Sequence, residues 1–157
     1  MKIKYLILLI LITNSAPIFA AQELLYLAHA ETIDIKEVAP ETGKLSDYHK
    51  VELAGLSTFT FSRDKKYLYA QALIDGDRKQ PSIATYLVTD DGKLNFLYNA
   101  PINAKATELK TDLNDQYIVG ASYRHGVVSI WKLEKGIFKG ELAKEITLEK
   151  KIPCSAF

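Results

Sequence analysis

The sequence has one cysteine in 157 residues, Cys154, so an internal disulfide is excluded. No histidine stands at a spacing that would activate it. It reads as a small apolar strand residue, or as an intermolecular thiol if the chain is exported. Lysine and arginine nowhere cluster on one face, which argues against a nucleic-acid partner. A helical period is missing throughout. Beyond the first twenty residues no apolar run is long enough to span a membrane. Short metal-ligand spacings are absent, and no cofactor motif is present. Asp75-Gly76-Asp77 could offer oxygens to calcium, but it lacks the further carboxylates of such a site. With 48% hydrophobic residues, no segment reads as disordered.

The amino terminus is a segment of another kind. Lys2 and Lys4 make a positive start, residues 5–12 are an unbroken apolar run, and Thr13 to Ala20 is a polar, small-residue exit with cleavage expected after Ala20. This is the pattern of a secretory signal peptide over residues 1–20, and it implies a periplasmic or secreted protein. An uncleaved amphipathic anchor is the alternative. Cleavage removes two lysines and no acids, so 20 − 2 = 18 basic side chains face 19 acidic ones.

What is present is strand signal. Tyr117-Ile118-Val119 and Val127-Val128-Ser129-Ile130-Trp131 are its strongest instances, rich in β-branched and aromatic residues. Asp112-Leu113-Asn114-Asp115 before them is turn chemistry. The figure recurs. Phe59, Ser62, Asp64 and Tyr67 precede Leu109, Asp112, Asn114 and Tyr117 by 117 − 67 = 50 positions. Ile83-Ala84-Thr85-Tyr86 answers Val128-Ser129-Ile130-Trp131, and three turns, at Gly43-Lys44-Leu45, Gly92-Lys93-Leu94 and Gly136-Ile137-Phe138, mark the period.

A period of this length with about four short strands per unit predicts propeller blades. A β-sandwich is the rival architecture and does not predict the self-similarity. The expectation is an all-β fold, an incomplete propeller of about three four-stranded blades plus the first strand of a fourth. The units fall at about 22–55, 56–104 and 105–150, with 151–157 opening the next and Phe157 standing where Phe61 stood. Expected strands include Leu24–Ala28, Ile33–Val38, Lys50–Leu53, Ser57–Phe61, Tyr67–Ala72, Ile83–Thr89 and Leu94–Leu97. Three units and a strand cannot close a ring, so the reading is the amino-terminal part of a longer protein or a truncated product. Open sheet edges make a protein partner there, strand swapping or poor solubility the expectation for the chain alone.

Several segments carry a family likeness. Ala121-Ser122-Tyr123 followed by Gly126-Val127-Val128-Ser129-Ile130-Trp131 resembles an Ala-Asn-Tyr-Gly-Gly-Gly-Ser-Val-Ser-Val-Phe segment of the lactonase family of seven-bladed β-propellers, of the 6-phosphogluconolactonase type. Pro40-Glu41-Thr42-Gly43-Lys44-Leu45 is similar to the turn of that family's first blade, and Phe61-Ser62-Arg63-Asp64-Lys65-Lys66-Tyr67-Leu68-Tyr69-Ala70 to the strand pair that follows. The resemblance implies a lactone hydrolase acting on a small lactone or sugar-derived ligand. It also shows departures. Glu108 stands where the family has a channel-facing His, Arg124 and His125 replace two glycines, and Arg63 and Leu113 stand where it has Pro.

Lactone hydrolysis needs a group to activate water and donors for the developing oxyanion. Glu108 as general base, with Arg124 and His125 as positive or donor groups, are the candidate catalytic residues. The bland reading makes Glu108 a solvated strand residue and Arg124-His125 a loop tip. His29 and His49 read as surface or half-buried residues and not as ligands. Tyr67, Tyr69, Tyr86, Tyr117, Tyr123 and Trp131 read as blade-packing aromatics. Two functions remain: an exported lactonase-like hydrolase, inactive as this truncated chain, or a non-catalytic propeller that presents loops to a partner.

Overall fold

The computed structural model describes residues 23–29, 31–74 and 80–148, and these form eleven strands in three antiparallel sheets with no α-helix. The first sheet is β1 (Glu23–His29), β2 (Thr32–Val38) and β3 (Leu45–Glu52), in that order. The second is β4 (Phe59–Phe61), β5 (Tyr67–Leu73), β6 (Pro81–Val88) and β7 (Leu94–Pro101). The third is β8 (Glu108–Thr111), β9 (Tyr117–Ser122), β10 (Val127–Glu134) and β11 (Ile137–Thr147). The short strands β4 and β8 lie beside each other on the inside, and β7 lies beside β11 on the outside. This is the sheet stacking of an incomplete β-propeller.

The fifty-residue offset is a register identity. Phe59 pairs with Ala70 as Leu109 pairs with Gly120, and Thr60 with Tyr69 as Lys110 with Val119. The turns that close β4–β5 and β8–β9 use the same backbone and different side chains. Lys65 and Asp115 both hold a positive φ, 59° and 52°. In the earlier turn the Ser62 hydroxyl accepts the Tyr67 N–H at 3.0 Å, and Asp64 accepts that of Lys66 at 3.0 Å. In the later one Asp112 alone accepts from Gln116 and Tyr117, both at 2.7 Å. Burial works against ionising Asp112, but the N–H bonds from Tyr117, Asn114 and Gln116 outweigh it and hold the carboxyl below the usual range.

Burial shows how the sheets stack. Every residue from Leu68 to Ala72 on β5 is buried, because the second sheet is covered on both faces. One face carries Leu68, Ala70 and Ala72 against Ile33 and Ile35 of β2. The other carries Tyr69 and Ile83 against Leu109, Ile118, Trp131 and Phe138 of the third sheet. Trp131 and Phe138 meet edge to face at 5.9 Å, and burying an aromatic of this size is worth roughly 2–3 kcal/mol. On β9 burial alternates instead, with Ile118, Gly120 and Ser122 buried and their neighbours half-exposed. The third sheet is covered on one face only.

Two matched locks join successive sheets. Tyr26 on β1 donates its hydroxyl to the Gly92 carbonyl at 2.5 Å, and Tyr69 on β5 does the same to Gly136 at 2.9 Å. Both acceptors sit in the hairpin turn that closes the outer strands of the next sheet, at φ 77° and 80°. A third link uses Arg63. Its N–H donates to both Asp115 carboxylate oxygens, at 2.8 and 2.9 Å, and its guanidinium reaches the Leu113 carbonyl at 3.1 Å. A proline at position 63 would have no N–H to give.

The structure departs from expectation in several places. The first sheet has three strands among the described residues, not four. β3 begins at Leu45, five residues before the expected Lys50, because the β2–β3 hairpin closes tightly on Ala39–Lys44. β7 runs on to Pro101, and Ile137 and Phe138 open β11 instead of lying in a turn. Tyr123 is no packing residue. It sits in the β9–β10 turn and is 42% exposed. The expected signal peptide, residues 75–79 of the polar loop, Cys154 and the fourth-unit strand all lie outside the described residues.

Candidate functional site

Antiparallel hairpins sort the loops of each sheet to two ends. The turns at 62–66 and 112–116 share an end with the turns at Gly92 and Gly136, and every lock just described lies there. The opposite end carries the start of β8 and the β9–β10 turn. Glu108 is the first residue of β8 and pairs with Ala121, one residue before Ser122. The turn Tyr123-Arg124-His125-Gly126 follows at once. Glu108, Arg124 and His125 therefore share one end of the third sheet.

Glu108 borders a groove of about 680 Å³ on the uncovered face of this sheet. Its floor is apolar, with Val119, Ala121 and Val128, and Thr107, Glu108 and Lys110 supply polar groups at the inner strand. The carboxylate is exposed and pairs with Lys110 Nζ at 3.1 Å. Thr107 is anchored beside it by two bonds to the Ala121 carbonyl, from its N–H at 2.8 Å and its hydroxyl at 3.0 Å. Arg124 and His125 are exposed on the adjoining turn and do not line the groove. Of the three candidates, one faces the groove and two flank its end.

The turn has internal structure that the sequence reading did not find. Ser122, 4% exposed, places its Oγ 2.8 Å from His125 Nδ1. The Gly126 N–H donates to the Tyr123 carbonyl at 3.3 Å, and the Gly126 carbonyl accepts from Leu148 at 2.7 Å. A serine three residues before a histidine is no recognised motif, so nothing in the sequence flagged the pair. Lys110 was equally silent as the partner of Glu108. Elsewhere, half-buried His49 on β3 borders a polar groove with Asp34, Lys36 and Asp47, where Lys36 and Asp47 form an ion pair. His29 ends β1 and is exposed. No group of three or more His, Cys, Asp or Glu converges as a metal site among the described residues.

The chemistry available at this end is modest and specific. An exposed carboxylate can accept a proton from water, an imidazole and a guanidinium can stabilise a developing negative charge, and the apolar floor can take a ring.

Comparison with known proteins gives the arrangement its context. The family model described as lactonase, 7-bladed beta-propeller, matches residues 21–154. A 6-phosphogluconolactonase of Enterobacter sp. (strain 638) is 33% identical over 97 residues, covering 60% of this chain and 28% of that protein. One from Klebsiella pneumoniae (strain 342) is 29% identical over 119 residues, covering 74% of this chain and 34% of the relative. The chain thus spans about a third of the length of these relatives. Among solved structures, a Bacteroides fragilis protein assigned provisionally as a 6-phosphogluconolactonase superposes with a TM-score of 0.65 at 22% identity, over 80% of this chain and 36% of that one. The periplasmic gluconolactonase of Pseudomonas aeruginosa gives 0.64 at 14% identity, over 76% and 34%. At these identities the structures show the shared fold.

Proposed function

Because this chain belongs to the lactonase family of seven-bladed β-propellers, we propose that it serves in an exported hydrolase of small, sugar-derived lactones. The observation that carries the reading is the gathering of Glu108, Arg124 and His125 at the end of the third sheet opposite the tyrosine locks. Glu108 takes a proton from water as the water oxygen bonds to the lactone carbonyl carbon, and the carbonyl electron pair moves onto its oxygen. That charge falls to donors on the Arg124-His125 turn. The ring C–O bond then breaks, and the ring oxygen takes the proton back from the Glu108 carboxyl. Export rests on the Lys2-to-Ala20 pattern. The uncovered apolar face beside Glu108 leaves the groove open on one side, so the 157 residues alone are expected to turn over no lactone.

The test is lactone opening followed by proton release. The 157-residue chain and the protein carrying this sequence in its source cells would both be assayed against the spontaneous rate. Acceleration by the native protein, lost in Glu108→Gln, supports the reading; a native protein no faster than background removes it. A second reading, a non-catalytic propeller that binds a partner, is favoured by the Glu108–Lys110 ion pair, the setting of a solvated charge. A native protein inert to lactones and retained with one partner from the exported fraction would establish it.

A further inference from the structure

We infer that Ser122 is a positioning residue that fixes the neutral His125 ring in one tautomer, with its proton on Nε2, so that the imidazole presents an N–H donor at the end of the sheet that carries Glu108. The use of that donor on a lactone carbonyl rests on the hydrolase reading above.

The protons at the Ser122–His125 contact decide the tautomer. Ser122 is the last residue of β9 and is 4% exposed, and His125 Nδ1, 2.8 Å away, is the one partner its side chain finds among the described residues. A hydroxyl has a proton to give as well as lone pairs to receive. If Nδ1 carried the ring proton and donated it, the serine O–H would be left buried without an acceptor, the costly arrangement. If the serine donates, both atoms are satisfied, and the ring proton moves to Nε2 on an exposed residue that water or a ligand can reach. The partner of one ring nitrogen sets the state of the other.

The backbone fixes the turn that carries the ring. The turn is closed within itself by Gly126 to Tyr123 and tied to the end of β11 by Leu148 to Gly126. With the serine bond the ring has a third anchor and cannot swing freely. An N–H held in place suits the oxygen on which charge develops, and it leaves proton abstraction to a carboxylate, Glu108. This divides labour between two of the three candidates.

The experiment is nitrogen-15 NMR of histidine-labelled chain with the imidazoles neutral, where only His29, His49 and His125 contribute. The expected His125 spectrum has a proton-bearing Nε2 and an unprotonated, hydrogen-bonded Nδ1. Ser122→Ala should lose the Nδ1 hydrogen-bond shift and average the ring between tautomers, and Ser122→Thr should restore it. A proton on Nδ1 in the unmodified chain overturns the inference without any variant, which covers failure of Ser122→Ala to fold. A spectrum unchanged in a folded Ser122→Ala overturns it too. A native protein inactive on lactones would sink the hydrolase reading and leave these spectra as they are, so the two failures are separable.

Discussion

Replacing Tyr69 with Phe removes one oxygen from the junction of the second and third sheets and nothing else. That hydroxyl donates to the Gly136 carbonyl at 2.9 Å from a residue with no exposed surface. A net intramolecular hydrogen bond is worth ~0.5–1.5 kcal/mol, and a carbonyl left without its donor adds to the loss, so Tyr69→Phe should cost ~1–2 kcal/mol. Urea denaturation at neutral pH reads this directly. Tyr67→Phe is the control, since the Tyr67 hydroxyl meets the Lys135 carbonyl only at 3.5 Å and in solvent; it should cost under ~0.5 kcal/mol.

The same substitution has an alkaline signature. Burial, helped by the nearby Asp115, Tyr67 and Asp64, pushes the Tyr69 phenol well above its ordinary value. A raised folded-state value means that stability is complete below the unfolded value of about 10 and falls as pH rises beyond it, by up to ~1.4 kcal/mol per pH unit. Burial also raises Tyr86 and Tyr26, so the unmodified chain should lose stability steeply above pH ~10 and Tyr69→Phe less steeply. A Tyr69→Phe chain within ~0.3 kcal/mol of the original, with an unchanged alkaline slope, would refute the lock.

Other expectations follow from the same geometry. Gly136→Ala puts a Cβ 2.3 Å from the Tyr67 ring at a φ of 80° and should cost ~2–4 kcal/mol; Gly43→Ala, at φ 66° with nothing within 4 Å, should cost only ~1 kcal/mol. Equal losses at the two sites would mean that the lock geometry is not the cause. Asp115→Ala breaks both bonds from the Arg63 N–H and should cost ~1–2 kcal/mol by denaturation, with Asp115→Asn closer to the original. The depressed Asp112 carboxyl contributes stability that is present above the unfolded value of about 3.9 and lost as pH falls below it. Asp112→Asn should therefore flatten the acid limb of the stability curve, and an unchanged limb would show that the turn does not govern it. In an active native protein, Glu108→Gln should lower kcat about 100-fold or more with a smaller change in KM.

Much of the fold was legible because its signal is local and repeated. Tyr67 and Tyr117, or Phe59 and Leu109, hold the same place in the same hairpin, and a fifty-residue offset needs no tertiary knowledge to see. What failed was whatever depends on neighbours in space. β7 continues past Leu97 because β6 offers it partners as far as Ser82, which pairs with Pro101. Tyr123 has the composition of a packing aromatic, but the chain turns there, one residue after β9 ends. The tyrosine locks join residues 66 and 67 positions apart, a spacing set by how sheets stack. The same limit applied to the site. Glu108, Arg124 and His125 stand out as departures from a family pattern, while the pairing of Ser122 with His125 and of Lys110 with Glu108 is visible only once the strand and turn are folded.

The most direct test of the functional account is the rate of gluconolactone opening by the native protein, captured from the exported fraction of its source cells with an antibody to the β10–β11 hairpin. The account predicts acceleration over the spontaneous rate that disappears when Glu108 is replaced by Gln in the chromosomal copy. Spontaneous-rate opening by the native protein, or acceleration that survives Glu108→Gln, would contradict it.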